Sequence, residues 1–249
     1  MFKRKIPETT SASLHVMAML FMLSDHLWAT VIPGNDWLTA VGRLAFPIFA
    51  FLLVEGFAHT RNLKKYALRL LLFAILSEIP FNLITSGSWF YPFHQNVLWT
   101  FLVGLGLMRI NESVKERGVA WRVLTAVGTV ALGCILGLVT MVDYYHCGIL
   151  MILTFYFFRG RKWWCYLGQL VCLAYINLEM IGGRGYEIPF FGDTVFLLRQ
   201  GLALFALIPI WLYRGRQGYS EKWFRFLCYS FYPLHMLILG LICLGGFNG

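Results

Sequence analysis

Asp25 and His26, Arg43 and Glu55, Glu78, Arg199 and His235 all stand inside stretches that are otherwise apolar. A charged side chain near a bilayer centre costs about 2.5 to 3.5 kcal/mol even on a lenient insertion scale, so such groups are retained where they face a polar interior and handle protons, ions or substrate. The chemistry of this chain is therefore to be sought inside a membrane. His15 and His26 are eleven residues apart in the chain. That spacing is close to three helical turns and puts both imidazoles on one face with about 16 Å between them. Glu78 and Asn82 form an i,i+4 pair, as do Glu55 and His59. Pro80, between the first two, is expected to kink its helix and free carbonyls for polar work.

The elements that must hold these groups are set by composition. With 59% hydrophobic and 13% charged residues among 249, the chain has more apolar surface than a soluble domain of its size can hide. Nine helical spans are predicted, at 12–32, 38–58, 66–85, 96–110, 122–142, 145–158, 163–181, 195–213 and 226–247, in an all-α polytopic membrane protein read as one domain over residues 1–249. The first span is too long for a cleavable signal core and carries Asp25 and His26. With the N-terminus in the cytoplasm, Lys3 to Lys5, Arg61, Lys64, Lys65, Arg109, Lys115, Arg117, Arg122, Arg159, Arg161, Lys162, Arg214, Arg216, Lys222 and Arg225 gather on the inner side. The opposite loops hold only Arg184, so the positive-inside rule places the C-terminus outside. The formal charge of +9 thus reflects topology in the cell membrane and argues against a nucleic-acid partner. The six cysteines form no Cys-x-x-Cys pair and read as small apolar packing residues.

This topology sorts the polar groups into two layers. His26, Arg43, Glu78, Asn82, Asn96, Asp143, His146 and Arg199 lean toward the outer side, with His94 read as an ordinary loop residue. Glu55, His59, Lys65 and Arg69 lie at the inner ends of their helices. Arg43 and Glu55 are about 18 Å apart along one helix, so each needs a partner elsewhere. Trp89, Trp99, Trp163, Trp164 and Trp223 are expected in interfacial belts, and Gly104 and Gly106, or Gly133 and Gly137, at close helix contacts.

The stretch from Arg43 to Leu83, RLAFPIFAFLLVEGFAHTRNLKKYALRLLLFAILSEIPFNL, resembles the core signature of the TraX family, whose namesake acetylates the N-terminus of conjugative pilin. MLFMLSDHLW precedes it; NVLWTFLVGLGL, DYYHCGILM, LYRGRQG and FYPLH follow in the family's order. A broader likeness is to the membrane acyltransferases that O-acetylate bacterial polysaccharides. Those enzymes carry Arg or Lys, ten residues, and then the catalytic His; here the pattern falls on His15 and His26. Their basic motif at the third helix, thought to hold the cofactor's phosphates, falls on Lys65 and Arg69. His15 departs from the usual cation, and Arg214 stands where the family has Asn.

The resemblance implies transfer of an acetyl group from acetyl-CoA to an acceptor amine or hydroxyl at the outer side of the membrane. Such chemistry needs a base, an orienting partner for it, and donors aimed at the developing oxyanion. His26 is expected as the base, with Asp25, or else Glu78 or Asp143, setting its tautomer; Arg43, Asn82 or Asn96 would face the oxyanion. Lys65 and Arg69, with Arg61, Lys64 and His15, would hold the acetyl-CoA donor. Glu55, Asn96, Asp143, His146, Arg199 and His235 are expected around the substrate. Asp25, His26, Asp143 and His146 match no known metal motif in their spacing, and no metal is expected. The rival reading is a proton-coupled transporter whose buried Asp, Glu and His relay protons.

Overall fold

The computed structural model describes residues 8–190 and 193–246. Lys3, Arg4 and Lys5, and the end of the ninth predicted span, lie outside them. The protein is mostly helical. Thr10 starts α1 (Ser11–Thr30) with a reciprocal cap: its hydroxyl accepts from the Ser13 amide at 3.1 Å, and Ser13 Oγ accepts from the Thr10 amide at 2.8 Å. The same end is sewn to the segment before the last helix by Ser11 N–H on the Arg216 carbonyl (2.9 Å) and Thr9 Oγ1 on the Pro209 carbonyl (2.7 Å).

After a loop at the far end, α2 (Asp36–Gly42) and α3 (Ala45–His59) form one broken span whose joint is Arg43 and Leu44. α4 (Leu63–Ser86), capped by Asn62, runs back and contains Pro80; Gly87, at φ 65°, ends it. α5 (Val97–Ser113), capped by Asn96, and α6 (Val119–Val139) make a hairpin. α7 (Tyr145–Phe157) and α8 (Trp163–Tyr175) follow, and α8 continues into a π-helical turn, Ile176–Ile181. The last helix, α10 (Lys222–Gly246), contains Pro233 and packs along α4 and α1.

Among the described residues five stretches are long and apolar enough to cross a membrane: Asp36–His59, Leu63–Ser86, Val119–Val139, Trp163–Ile181 and Lys222–Gly245. The eighth predicted helix, 195–213, is not one. Its first part is strand β2 (Asp193–Leu198), paired antiparallel with β1 (Gly185–Phe190) from Gly185↔Leu198 to Phe190↔Asp193. A 3-10 segment (Arg199–Ala206) and the short α9 (Leu207–Trp211) complete it. Apolar content suggested a helix, but Pro209 lacks the N–H that would bond back one turn, and Gly201 sits so close to Leu178 that a Cβ there would meet Leu178 Cδ2 at 2.8 Å. The segment predicted at 145–158 is a helix of 13 residues, about 20 Å long, short of a hydrocarbon core of about 30 Å.

α3 is the centre of the bundle: Phe46, Ile48, Ala50 and Leu52 to Val54 are all buried, against Leu14, Met108, Ile152 and Phe155 of α1, α5 and α7. α6 lies at the edge and buries only Thr129, Gly133 and Gly137. These glycines allow close approach as expected: a Cβ on Gly133 would meet Ile149 Cγ2 at 2.8 Å, and one on Gly137 the His146 amide nitrogen at 2.5 Å. Gly104 likewise abuts Ile152, whereas Gly106 faces open space.

Gly137→Val must push α6 off the α7 backbone, so thermal unfolding in detergent should show a loss of about 1 to 3 kcal/mol. Gly106→Ala is the control and should leave the midpoint in place. Equal midpoints for Gly137→Val and wild type would contradict the packing described.

Candidate functional site

His26, in the last third of α1, faces α10. Its Nδ1 lies 2.7 Å from Nε2 of His235, and the two rings are nearly parallel, with centroids 5.0 Å apart. His235 Nδ1 lies 2.6 Å from the Phe231 carbonyl. A carbonyl oxygen only accepts, so His235 carries its proton on Nδ1. In a neutral ring its Nε2 is then a lone pair that accepts from Nδ1–H of His26. By elimination, Nε2 of His26 keeps a lone pair. A backbone carbonyl thus fixes the tautomer of an imidazole two links away, and Phe231, stacked on His235 at 4.7 Å, holds the plane of the second ring.

The expected carboxylate partner is elsewhere. Asp25 accepts from Thr39 Oγ1 at 2.6 Å and from the Nη2 of Arg43, while Arg43 Nε donates to the Thr39 carbonyl at 3.2 Å. Consecutive helical residues point about 100° apart, so Asp25 clamps α1 to the α2–α3 joint while His26 turns to α10. Gly42 makes this possible: a Cβ there would stand 2.4 Å from the Asp25 Cβ. Arg43 also lies within electrostatic reach of Tyr144 and Asp143. Those two sit in a turn where Met141, Tyr144 and Tyr145 all have positive φ, at 51°, 60° and 46°. Such backbone is costly for non-glycine residues and persists only where surroundings enforce it. Here Thr100 Oγ1 donates to the Asp143 carbonyl (2.7 Å), the Gln95 N–H donates to the Met141 carbonyl (2.9 Å), and the Asp143 N–H donates to the Gln95 carbonyl (2.9 Å). The Tyr144 ring stacks on Phe46 at 4.3 Å.

Glu78 of α4 meets the start of α5. Its Oε1 accepts from Trp99 Nε1 (2.7 Å), from the Asn96 amide (3.2 Å) and from Asn96 Nδ2, which also reaches the Ala74 carbonyl at 2.8 Å. The carboxylate therefore sits at a helix N-terminus, where backbone donors and the helix dipole favour it. Trp99, expected in an interfacial belt, takes part in this polar knot. Asn82, one turn further, is buried with no hydrogen-bond partner on Oδ1 among the described residues, and Ser77 Oγ is in the same state. Tyr232 of α10, buried, stands within electrostatic reach of Glu78, Asp143 and Tyr144.

Below this layer a cavity of about 530 Å³ extends between α1, α3, α4, α5 and α10. His15, Glu55, His59, Arg69, Gln217 and Arg225 line its wide, basic end. Its deepest residues are Met22, Phe49, Val97 and Tyr232. Met22 is one helical turn before His26, and Tyr232 one turn before His235, so the cavity ends one turn short of the paired imidazoles. His15 donates from Nδ1 to the Ser11 carbonyl (2.7 Å), which leaves its Nε2 as an acceptor. Of the residues expected to hold acetyl-CoA, Arg69 and His15 line the cavity; Arg61, Lys64 and Lys65 are exposed on the same end and do not.

The remaining expected residues separate. Glu55 pairs with Arg159 at 2.7 Å, the partner its distance from Arg43 required. Arg199 pairs with Asp36 at 3.7 Å and lies over the Trp28 ring at 5.1 Å, at the far end beside the hairpin. His146 packs toward α6, its Nδ1 buried without a partner and its Nε2 3.6 Å from Cys147 Sγ. His94, read as a loop residue, meets Asp143 at 3.5 Å and the Phe81 ring edge-on. Among the described residues no group of three or more His, Cys, Asp or Glu is placed to hold a metal ion. Sequence reasoning missed Thr39, Tyr144, Trp99 and Tyr232. The last was visible only as the tyrosine three residues before His235 in FYPLH.

One curated relative, a probable fimbrial assembly protein FimC, serogroup H1, from Dichelobacter nodosus, is 29% identical over 238 residues, covering 91% of this chain and 92% of its own. No solved structure matches. The TraX protein family matches residues 10–243, and these include both histidines, the Asp25–Arg43 clamp and every residue that lines the cavity: the chain belongs to the TraX family.

Proposed function

We propose that this membrane protein is an acyltransferase that moves an acetyl group from acetyl-CoA to an acceptor amine or hydroxyl. The observation that carries the reading is the Phe231–His235–His26 chain, which leaves a lone pair on His26 Nε2 one helical turn beyond a cavity that opens among Arg69, Arg225 and His59. Acetyl-CoA supplies the activated thioester. The protein's part is to take the acceptor's proton on His26 Nε2 as the new bond to the acetyl carbon forms and the bond to sulfur breaks. The resulting imidazolium shares its charge through Nδ1 with His235 until it returns the proton to the departing coenzyme A thiolate. Asp25 and Thr39 engage Nε and Nη2 of Arg43, which leaves Nη1 to face the developing oxyanion. Arg69 and Arg225 suit the donor's phosphates at the wide end. The name of the fimbrial relative favours a pilin subunit's N-terminal amine as acceptor.

The charge asymmetry of the loops supports a topology with the basic end in the cytoplasm and the C-terminus outside. Reporter fusions after Gly249 and near Lys115 should read outside and inside respectively; the reverse pattern would overturn it.

Acetylation of a synthetic pilin N-terminal peptide by the protein in nanodiscs, followed by mass spectrometry, is the direct test. His26→Gln should lower turnover by about 10² to 10⁴ while leaving donor binding intact. Turnover at the wild-type rate would show the imidazole to be structural. A protein that binds no acetyl-CoA but transports protons would return the reading to a transporter. Arg43→Ala leaves Asp25 without its counter-ion and should cost about 3 kcal/mol of stability, whereas adding Asp25→Asn should recover part of that loss. Equal unfolding midpoints for wild type and the single variant would contradict the clamp.

A further inference from the structure

A second cavity, about 310 Å³, opens at the same basic end beside the first. The two share Glu55, His59, Tyr213 and Gly215, so this annex is separated from the main cavity only by a ridge at the end of α3 and the segment after α9. Its floor is aromatic and fixed. Tyr166 and Trp211 meet edge to face at 5.3 Å, and Trp211 Nε1 donates to Gln169 Oε1 at 2.8 Å. Gln169, itself buried, is locked in turn by donating to the Phe158 carbonyl at 2.9 Å. Set at 62° to one another, the two rings offer the face of one and the edge of the other without having to reorganise.

Two guanidinium groups rim this floor, and they differ. Arg159 is committed to Glu55. Among the described residues Arg161 enters no ion pair, yet it lines the annex, and its Nη2 lies within 3.8 Å of where a Gly215 Cβ would stand. A free guanidinium beside a rigid aromatic floor suits a planar base joined to a phosphate: rings stack on the base, and the guanidinium fork takes phosphate oxygens two at a time. A nucleoside-sized volume next to a longer cavity suits a ligand made of two parts joined across the ridge.

We propose that the annex binds the phosphorylated adenosine end of the acyl-CoA donor, with Arg161 on the 3′-phosphate and the adenine against Tyr166 and Trp211. This site rests on the acyl-CoA reading above. It moves the nucleotide away from Lys65 and Lys64, which remain on the outer surface of α4, and leaves Arg69 and Arg225 to the diphosphate at the mouth of the main cavity. An anionic lipid headgroup offers phosphate of the same chemistry, so the test has to separate the two sources.

Coenzyme A and dephospho-coenzyme A, which lacks only the 3′-phosphate, are titrated calorimetrically into the whole protein in nanodiscs of neutral phosphatidylcholine, and again with anionic phosphatidylglycerol added. Wild type should prefer coenzyme A. Arg161→Gln, on an exposed side chain, should weaken coenzyme A by about tenfold, leave dephospho-coenzyme A unchanged and so remove the preference. Arg69→Gln should weaken both ligands alike. Unchanged binding of both ligands by Arg161→Gln, or an equal loss for both, overturns the annex site and leaves the acyl-CoA reading standing. An Arg161 effect that appears only with anionic lipid assigns the guanidinium to the headgroup and overturns it as well. Wild type that binds neither coenzyme overturns the acyl-CoA reading and the annex together.

Discussion

A carboxylate and a guanidinium inside a bundle of apolar helices each need a partner, and Asp25 and Arg43 find it in one another and in Thr39. Burying either ion alone is strongly unfavourable, so this clamp constrains everything around it. It holds α1 against the joint between α2 and α3. It also requires Gly42 at the contact and gives Tyr144 and Asp143 a cation to face. The turn at residues 141–145, where Met141, Tyr144 and Tyr145 have positive φ, is tied to the capped start of α5 by backbone bonds at Gln95 and by the Thr100 hydroxyl.

Because Asp25 is occupied, the neighbouring imidazole is steadied by other means. His235 serves through a chain that ends on a backbone carbonyl, and the outcome is a defined lone pair where a carboxylate would have brought charge. Glu78, a further acidic group of this layer, is held at the N-terminus of α5 by three donors on one oxygen. The polar layer is thus made of two ion-holding knots with an uncharged histidine pair beside them, above a cavity whose basic residues lie at its other end. The charged groups have partners of their own, and the imidazole pair keeps its lone pair on His26 Nε2.

Much of this could be read from the chain. Intramembrane Asp25, His26, Arg43 and Glu78 marked the polar layer, because few other reasons exist to keep them there, and the distance between Arg43 and Glu55 correctly required separate partners. Which partner each found could not be read, since Thr39, Tyr144 and Tyr232 are common residue types whose roles depend on helices meeting from distant parts of the sequence. Hydropathy also left the helices' places open. Asp36–His59 and Val119–Val139 have mean hydropathies of 1.9 and 2.0, yet the first is the centre of the bundle and the second its edge. Lipid is as apolar as a protein core, so apolarity locates a helix in a membrane without saying what it packs on. The hairpin at 185–198 was missed for a related reason: its Val, Phe and Leu residues are equally apolar in a strand, and the break at Gly201 depends on an approach of Leu178 from a distant part of the sequence.

The central claim is that His235 and His26 both carry their proton on Nδ1 in the neutral state, so that His26 Nε2 is unprotonated. Solid-state NMR of the protein in lipid, with nitrogen-15 in its six histidines and the two signals assigned through His26→Gln and His235→Gln, reads this directly. The account predicts a protonated Nδ1 and a bare Nε2 on each ring near neutral pH, with a coupling across the His26 Nδ1 to His235 Nε2 bond. A proton on His26 Nε2, or a doubly protonated ring at either position in the resting protein, would contradict it.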